Sequence, residues 1–304
     1  MIRIIPDNTK IKFTALKYKA FLFSLLLSVV SMLAVAFIGL NLGIDFRGGI
    51  LLEVRTNNVE VAEIRNELTN IDIGEISIQE FGSSVDFLIR VERQIGEDDA
   101  QQIAVEKIKN ALNSKFEDKI EYRRLEFVGP TISKDLIRKG VLAIIFAVVA
   151  MLIYIWFRFE LPFAMAAVVA LIHDVTLTLG VFSIVGLEFN LATVAAILLI
   201  IGYSMNDTVV VYDRVRENLR KFKKMDFEEL IDKSVNETLT RTVNTTATTI
   251  LALGTLYFIG GEIISDFSFA MLWGIVVGTY SSIFIASTIL IYMNVRSYSD
   301  KKEN

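Results

Sequence analysis

Six runs of roughly twenty apolar residues recur along this chain of 304 residues and leave it few folds to choose from. In hydrocarbon every backbone N–H and C=O must be satisfied within its own segment, so runs of this length become membrane-spanning helices. They cover residues 20–40, 140–157, 162–186, 190–212, 242–259 and 269–293. The first is too long for the apolar stretch of a signal peptide and no A-x-A cleavage site follows it, so it reads as a retained anchor. The links Phe157–Pro162 and Gly186–Asn190 are short and make spans two to four antiparallel neighbours. Absence of cysteine excludes disulfides and thiolate metal sites, and the single histidine, His173, argues against a histidine-built metal cluster, so no cofactor is expected.

Lysine and arginine bias sets the orientation of such a chain. The arm at residues 1–19 carries Arg3, Lys10, Lys12, Lys17 and Lys19. The link between spans four and five carries Arg214, Arg216, Arg220, Lys221, Lys223 and Lys224, and the tail at 294–304 carries Arg296, Lys301 and Lys302. The links Gly186–Asn190 and Gly260–Ser268 carry none. Both termini are therefore expected in the cytoplasm, and residues 41–139 on the other, periplasmic side. That long segment alternates like a strand at Ile50–Thr56, is helical in spacing at Val59–Ile71, and alternates again at Glu75–Phe81 and Val85–Val91 around Gly82-Ser83-Ser84. A second amphipathic helix at Asp98–Phe116 and a strand at Ile120–Val128 complete the order βαββαβ, the ferredoxin-like pattern. The expected fold is a polytopic α-helical membrane protein with six transmembrane helices and an α+β ferredoxin-like domain between helices one and two.

Within the spans, Asp207 is the costliest residue. A carboxylate at the centre of a membrane helix costs about 2.5–3.5 kcal/mol on insertion scales, and such residues face a bundle interior and mark ion paths. Asp207 lies about 7–8 Å in from the charged end of its span, at about 1.5 Å per residue, with Asn206 beside it. Thr193, Ala196, Ile200, Tyr203, Ser204 and Asp207 share one small or polar helical face, which should point inward. In span five Arg241, Thr245, Thr248, Ala252 and Thr255 form a polar stripe. Its Arg241 is placed to meet Asp207 at similar depth, a nearby cation favouring the carboxylate and desolvation favouring the neutral acid. In span three His173 and Asp174 sit mid-run, and adjacent helical positions diverge by about 100°, so one should line a path while the other pairs with a neighbouring helix. Blander roles compete: a fixed interhelical hydrogen bond for Asp207, a snorkelling interfacial cation for Arg241, a structural pair for His173 and Asp174, and a solvated helix end for Asp213 and Arg214. Gly274-Ile-Val-Val-Gly278 in span six is a small-xxx-small packing signal.

Four motifs carry a family resemblance. They are Gly43-Ile-Asp-Phe-Arg-Gly-Gly49 directly after span one, Val128-Gly-Pro130 before span two, the span-four segment Gly202-Tyr-Ser-Met-Asn-Asp-Thr-Val-Val-Val-Tyr-Asp-Arg-Val-Arg-Glu-Asn218, and Asn236-Glu-Thr-Leu-Thr-Arg-Thr242 ahead of span five. Over nearly the whole chain the sequence resembles the SecD/SecF family of the bacterial preprotein translocase, its SecF branch in particular. The resemblance implies work with SecD beside the SecYEG channel, the ATPase SecA and often YajC, in the inner membrane, with the SecD and SecF halves together similar to an RND-type transporter. It implies late-stage export of preproteins driven by the proton motive force, with sodium as the coupling ion in some relatives and the outer domain engaging the emerging chain. By the same resemblance Asp207 and Arg241 are ion-path residues, joined by Asn206 and less firmly by Asp174 and His173. Gly43, Asp45, Gly48, Gly49, Gly129, Pro130, Asp213 and Arg214 are its motif residues.

Three other readings start from the same residues. Half of an RND-type small-molecule or lipid exporter shares six spans, an outer domain and an acidic span four. An intramembrane aspartyl protease would pair Asp174 with Asp207, but the expected Gly-x-Gly-Asp is absent, since Ser-Met-Asn precedes Asp207. A passive scaffold would use the charges only to lock helices.

Overall fold

The computed structural model describes residues 9–57, 59–71, 73–74, 76–81, 83–94, 100–116, 119–128, 130–260, 262–293 and 295. Among the described residues, six helices are long and apolar enough to cross a membrane. The first is α1 (Lys17–Phe37), preceded by a 3-10 turn at Thr14–Leu16. The others are α5 (Pro130–Arg158), α6 (Leu161–Val185), α7 (Leu191–Lys221), α8 (Phe227–Ile259) and α9 (Glu262–Ser281), the last continued through a π turn at Ser282–Ala286 into α10 (Ser287–Tyr292).

Local chemistry sets several of the helix ends. Pro162 stands in the first turn of α6, where a missing N–H costs nothing, and Gly186 closes that helix in the left-handed conformation. Asn190 caps α7 through a reciprocal pair with Thr193, and the Asp226 side chain caps α8 by accepting from the backbone N–H groups of Glu228 and Glu229. Helices α5, α7 and α8 run well past the apolar runs they contain. The extra turns of α7 and α8 are polar and laced by ion pairs such as Arg214–Glu217 and Lys233–Glu237 at helical spacing.

Between α1 and α5 lies an α+β domain of β2 (Gly49–Thr56), α3 (Val61–Thr69), β3 (Ile76–Phe81), β4 (Ser83–Val91), α4 (Ala100–Phe116) and β5 (Ile120–Val128). Its four strands form one antiparallel sheet in the order β3-β4-β2-β5, with a bulge in β5 at Arg123, opposite Glu53 and Val54 of β2. Alternate residues Ile50, Leu52 and Val54 of β2 and Phe87, Ile89 and Val91 of β4 are buried in one core with Ile64 and Leu68 of α3 and Val105, Ile108 and Leu112 of α4. Arg55 closes one end of the sheet with a two-pronged bond to Asp86, at 2.6 and 2.8 Å. That guanidinium and the Ser83 hydroxyl hold the Asp86 carboxyl well below the usual carboxylate range.

A separate apolar core fills the helix bundle. Helix α7 is its centre and packs against α5, α6, α8 and α9, while α1 lies on α6. Gly274 and Gly278 let α9 approach α7 closely: a Cβ at Gly274 would overlap Ile200, and one at Gly278 would stand 2.9 Å from the Cβ of Ser204. The small-xxx-small signal is thus a contact between these two helices. Helices α6, α7 and α9 are at least half buried over their apolar windows, whereas α1 and α5 are mostly exposed and α8 is mostly half-buried.

Candidate ion-path site

The polar face of α7 points inward. Thr193, Ala196, Ile200, Ser204 and Asp207 are all buried, and the half-buried Tyr203 donates its hydroxyl to Thr249 Oγ1 of α8 at 3.1 Å. Asp207 is only 4% exposed, and its Oδ2 has no hydrogen-bond partner among the described residues. The charge of Arg241 acts on it, but no ion pair joins the two, and Arg241 itself is exposed. Among the described residues Asp207 Oδ2 makes no fixed interhelical hydrogen bond, to the span-five threonines or elsewhere. On α8, Thr242 is likewise buried, its hydroxyl without a partner among the described residues. Asn206, one position along α7, is exposed and does not share the buried environment of Asp207.

The stripe of Arg241, Thr245, Thr248, Ala252 and Thr255 faces away from the rest of this chain: Arg241, Thr248, Ala252 and Thr255 are exposed. In the apolar part of α8, Thr242 is buried and the half-buried Thr246 and Thr249 bond to neighbouring helices, Thr246 sharing a 2.9 Å hydrogen bond with Thr279 of α9. Helical spacing identifies a stripe but not which neighbour it meets.

His173 and Asp174 do not diverge as their adjacency suggested. His173 Nδ1 lies 3.0 Å from Asp174 Oδ1, both side chains being buried. The other carboxylate oxygen, Oδ2, accepts from Ser204 of α7 at 2.7 Å and from Ser281 of α9 at 2.8 Å. Ser282 then donates to the backbone carbonyl of Ser204 at 3.3 Å and shares a 2.8 Å hydrogen bond with Thr208. A chain of hydrogen bonds thus runs from α6 to Thr208, the residue after Asp207. The π turn begins at Ser282; such turns insert one residue into a helix and recur at functional sites. Ser281 and Ser282, and Tyr280, which packs beside His173 with ring centroids 6.3 Å apart, are not singled out by the sequence patterns. The cluster Thr279-Tyr280-Ser281-Ser282 inside an apolar run was the available signal. Asp174 and Asp207 make no carboxylate pair, so the geometry of a two-aspartate protease is not formed by these residues.

At the opposite end of α7 the Gly43–Gly49 motif makes a joint. Asn41–Leu42 (β1) pairs in parallel with Glu188–Phe189 (β6), and Gly43 N–H donates to the Phe189 carbonyl at 2.9 Å. A single turn, α2 (Ile44–Arg47), follows, and the Asp45 carboxylate accepts from Leu191 N–H at 3.0 Å, satisfying one orphan donor of α7. Gly48 and Gly49 both take positive φ, 77° and 133°, which side-chain-bearing residues resist, and this turns the chain into β2. Arg90 of β4 reaches Glu188 at 2.5 Å, so the sheet is tied to the same joint. Burial pushes the Glu188 carboxyl above its ordinary value, the Arg90 charge acting the other way. Of the remaining motif residues, Pro130 opens α5, Asp213 pairs with Arg158 at 3.0 Å, and Arg214 pairs with Glu217 and Glu237 at 2.6 Å each. Gly129 lies outside the described residues.

The family model described as "Protein export membrane protein SecD/SecF, C-terminal" matches residues 107–296, and that of the "SecD/SecF GG Motif" matches residues 33–58. A "Protein translocase subunit SecF" from Rickettsia rickettsii is 44% identical over 301 residues, covering 99% of this chain and 97% of its own. Its counterpart from Rickettsia bellii is 45% identical over 290 residues, covering 95% of each chain. Among solved structures, SecDF of Thermus thermophilus, a translocon-associated membrane protein, superposes with a TM-score of 0.82 at 33% identity, over 95% of this chain and 39% of that one. SecDF in its super-membrane-facing form gives 0.71 at 33% identity over 100% of this chain and 41% of that one. This chain, which spans about two fifths of those SecDF polypeptides, belongs to the SecD/SecF family of protein-export membrane proteins.

Proposed function

We propose that the chain works as the SecF-type half of a SecD–SecF unit of the protein translocase, in the inner membrane with both termini cytoplasmic, and uses the proton motive force to promote late export of preproteins. It is a transport component. The observation that carries the reading is Asp207: a buried carboxylate whose Oδ2 has no hydrogen-bond partner among the described residues, under the influence of one exposed arginine, on the helix at the centre of the bundle. A carboxylate fixed by hydrogen bonds would favour one charge state, whereas an unpartnered one is free to be loaded and emptied as its surroundings change. Its proton is the coupling ion in this reading. Moving one charge through about 100 mV releases about 2.3 kcal/mol, enough to shift a two-state helix arrangement by more than an order of magnitude.

The exposed stripe of α8 supports a helix of SecD as its neighbour, because threonines and an arginine facing lipid would be costly and a polar partner relieves that cost. The His173–Asp174–Ser204–Ser281 cluster holds α6, α7 and α9 together beside Asp207 and gives their movement a common pivot. The α+β domain is ferredoxin-like in this reading, supported by its βαββαβ order and the strand order β3-β4-β2-β5. It lies on the periplasmic side, where it meets the emerging preprotein, and SecYEG, SecA and YajC complete the assembly. The test is preprotein export in cells depleted of the native subunit, with and without a proton gradient. Asp207→Asn should remove the gradient-dependent part of export at unchanged protein level. Gradient-dependent export equal to wild type would overturn the mechanism.

A further inference from the structure

Helix α5 stops at Arg158, but the neighbouring α7 continues to Lys221. The ion pair between Arg158 and Asp213, at 3.0 Å, puts these two residues at one level. That level is a membrane boundary: the side chains just below it on α5, Trp156 and Phe157, are 57% and 94% exposed, as an interfacial aromatic anchor requires. Beyond it, Asp213, Arg216, Glu217 and Arg220 recur at steps of three, one and three and share one face of α7. At about 1.5 Å per residue, Arg216 stands about 4–5 Å past the boundary, within the headgroup layer of about 5–7 Å, and Arg220 stands about 10–11 Å past it, from where its long side chain reaches back to that layer. The end of α5 leaves this face uncovered, and a cavity of about 450 Å³ opens there, lined by Arg158, Asp213, Arg216, Glu217, Arg220 and Lys221.

The two carboxylates of the lining are already engaged. Asp213 accepts from Arg158, and Glu217 accepts from Arg214 outside the cavity at 2.6 Å. Arg216 donates to the Arg158 backbone carbonyl at 3.3 Å and meets Glu160 only at 3.9 Å. Among the described residues Arg220 and Lys221 pair with no carboxylate; Lys221 Nζ only lies over the Phe222 ring, 5.4 Å from its centroid. The cavity therefore holds surplus positive charge at phosphate depth, with guanidinium groups suited to bidentate phosphate contact.

We propose that this notch is a binding site for the phosphate of an anionic phospholipid, whose acyl chains lie along Trp156 and Phe157. The proposal depends on the helix ends alone and not on which side of the membrane they face. Arg158, held by Asp213, fixes the floor of the site; Arg216, Arg220 and Lys221 supply the charge. Each basic residue near an anionic surface adds affinity, and two uncommitted ones should give a preference over a zwitterionic lipid on the order of tenfold at low salt.

The experiment uses the full chain carrying Trp273→Phe, which leaves Trp156 as the single tryptophan of the two in the sequence. It is reconstituted in phosphatidylcholine vesicles containing brominated phosphatidylglycerol or, at equal mole fraction, brominated phosphatidylcholine. Preferential quenching of Trp156 by the brominated phosphatidylglycerol, lost in Arg220→Gln/Lys221→Gln and retained in Lys134→Gln/Lys139→Gln at the other end of α5, supports the site. Loss of the preference for the unsubstituted protein at high salt supports it independently of any variant. Equal quenching by the two lipids, or a preference that the Arg220→Gln/Lys221→Gln protein keeps, overturns it. Displacement of the preference by millimolar inorganic phosphate, which would mark a site for the free anion, overturns it as well.

Discussion

Two aspartates lie within the same bundle, and the structure assigns them opposite consequences for stability. Asp174 accepts from Ser204 of α7 and Ser281 of α9 and contacts His173 Nδ1 at 3.0 Å. Interhelical hydrogen bonds in membrane proteins average about 0.6 kcal/mol and reach about 1.7, so the two serine bonds are worth about 1–3 kcal/mol. Asp174→Ala also strands His173 Nδ1 in a buried site where Nε2 already has no partner, which adds about 1 kcal/mol or more. The expected loss is about 2–4 kcal/mol. Asp207→Ala removes no hydrogen bond and relieves the burial of an unpartnered acid, so stability should stay within about 1 kcal/mol of wild type or rise. The assay is unfolding of the purified protein in mixed micelles titrated with sodium dodecyl sulfate, followed by loss of helical circular dichroism. Equal destabilisation by the two substitutions would refute the claim that Asp207 is unpartnered and Asp174 is the tie.

Two further outcomes are expected. Gly278→Val would drive its side chain into Ser204 across the α7–α9 contact and should lower the midpoint of thermal unfolding, by the about 1–3 kcal/mol typical of overpacking; an unchanged midpoint would count against the close approach. Asp86 is held below the unfolded value of about 3.9 by its hydrogen bonds to Arg55 and Ser83, so its contribution is complete above that pH and lost as pH falls toward the folded value. Acid titration followed by circular dichroism should therefore find the α+β domain less acid-sensitive in Asp86→Asn, though weaker at neutral pH.

The apolar runs were legible because hydrocarbon imposes them on any spanning helix, whatever surrounds it. Helix ends were not: nothing in an apolar count shows that α5 begins at Pro130 or that α7 and α8 extend into water, since those turns rest on capping and on polar pairs such as Lys233–Glu237. Asp207 stood out because its cost is local. The hub around Asp174 was hidden because it is assembled from three helices, and the reach of His173 to Asp174 depends on side-chain torsion rather than on helical phase. The direction of the Arg241 stripe was hidden for a different reason: helical spacing gives a stripe but not its facing, and Arg241, Thr248, Ala252 and Thr255 are turned away from this chain's own bundle.

The short parallel pair of β1 and β6 has a topological consequence. Parallel strands need a long connection, and here that connection holds the α+β domain together with α5 and α6. All of these hang in one loop whose neck is two residues wide on each side, with Asp45 fastened to Leu191 and Arg90 to Glu188 at its mouth. A pull on the domain is therefore shared between the stem of α5 and this neck, and the neck delivers its part to the first turn of the helix that carries Asp207. Tension applied to the domain and occupancy of that carboxylate act on one and the same rod.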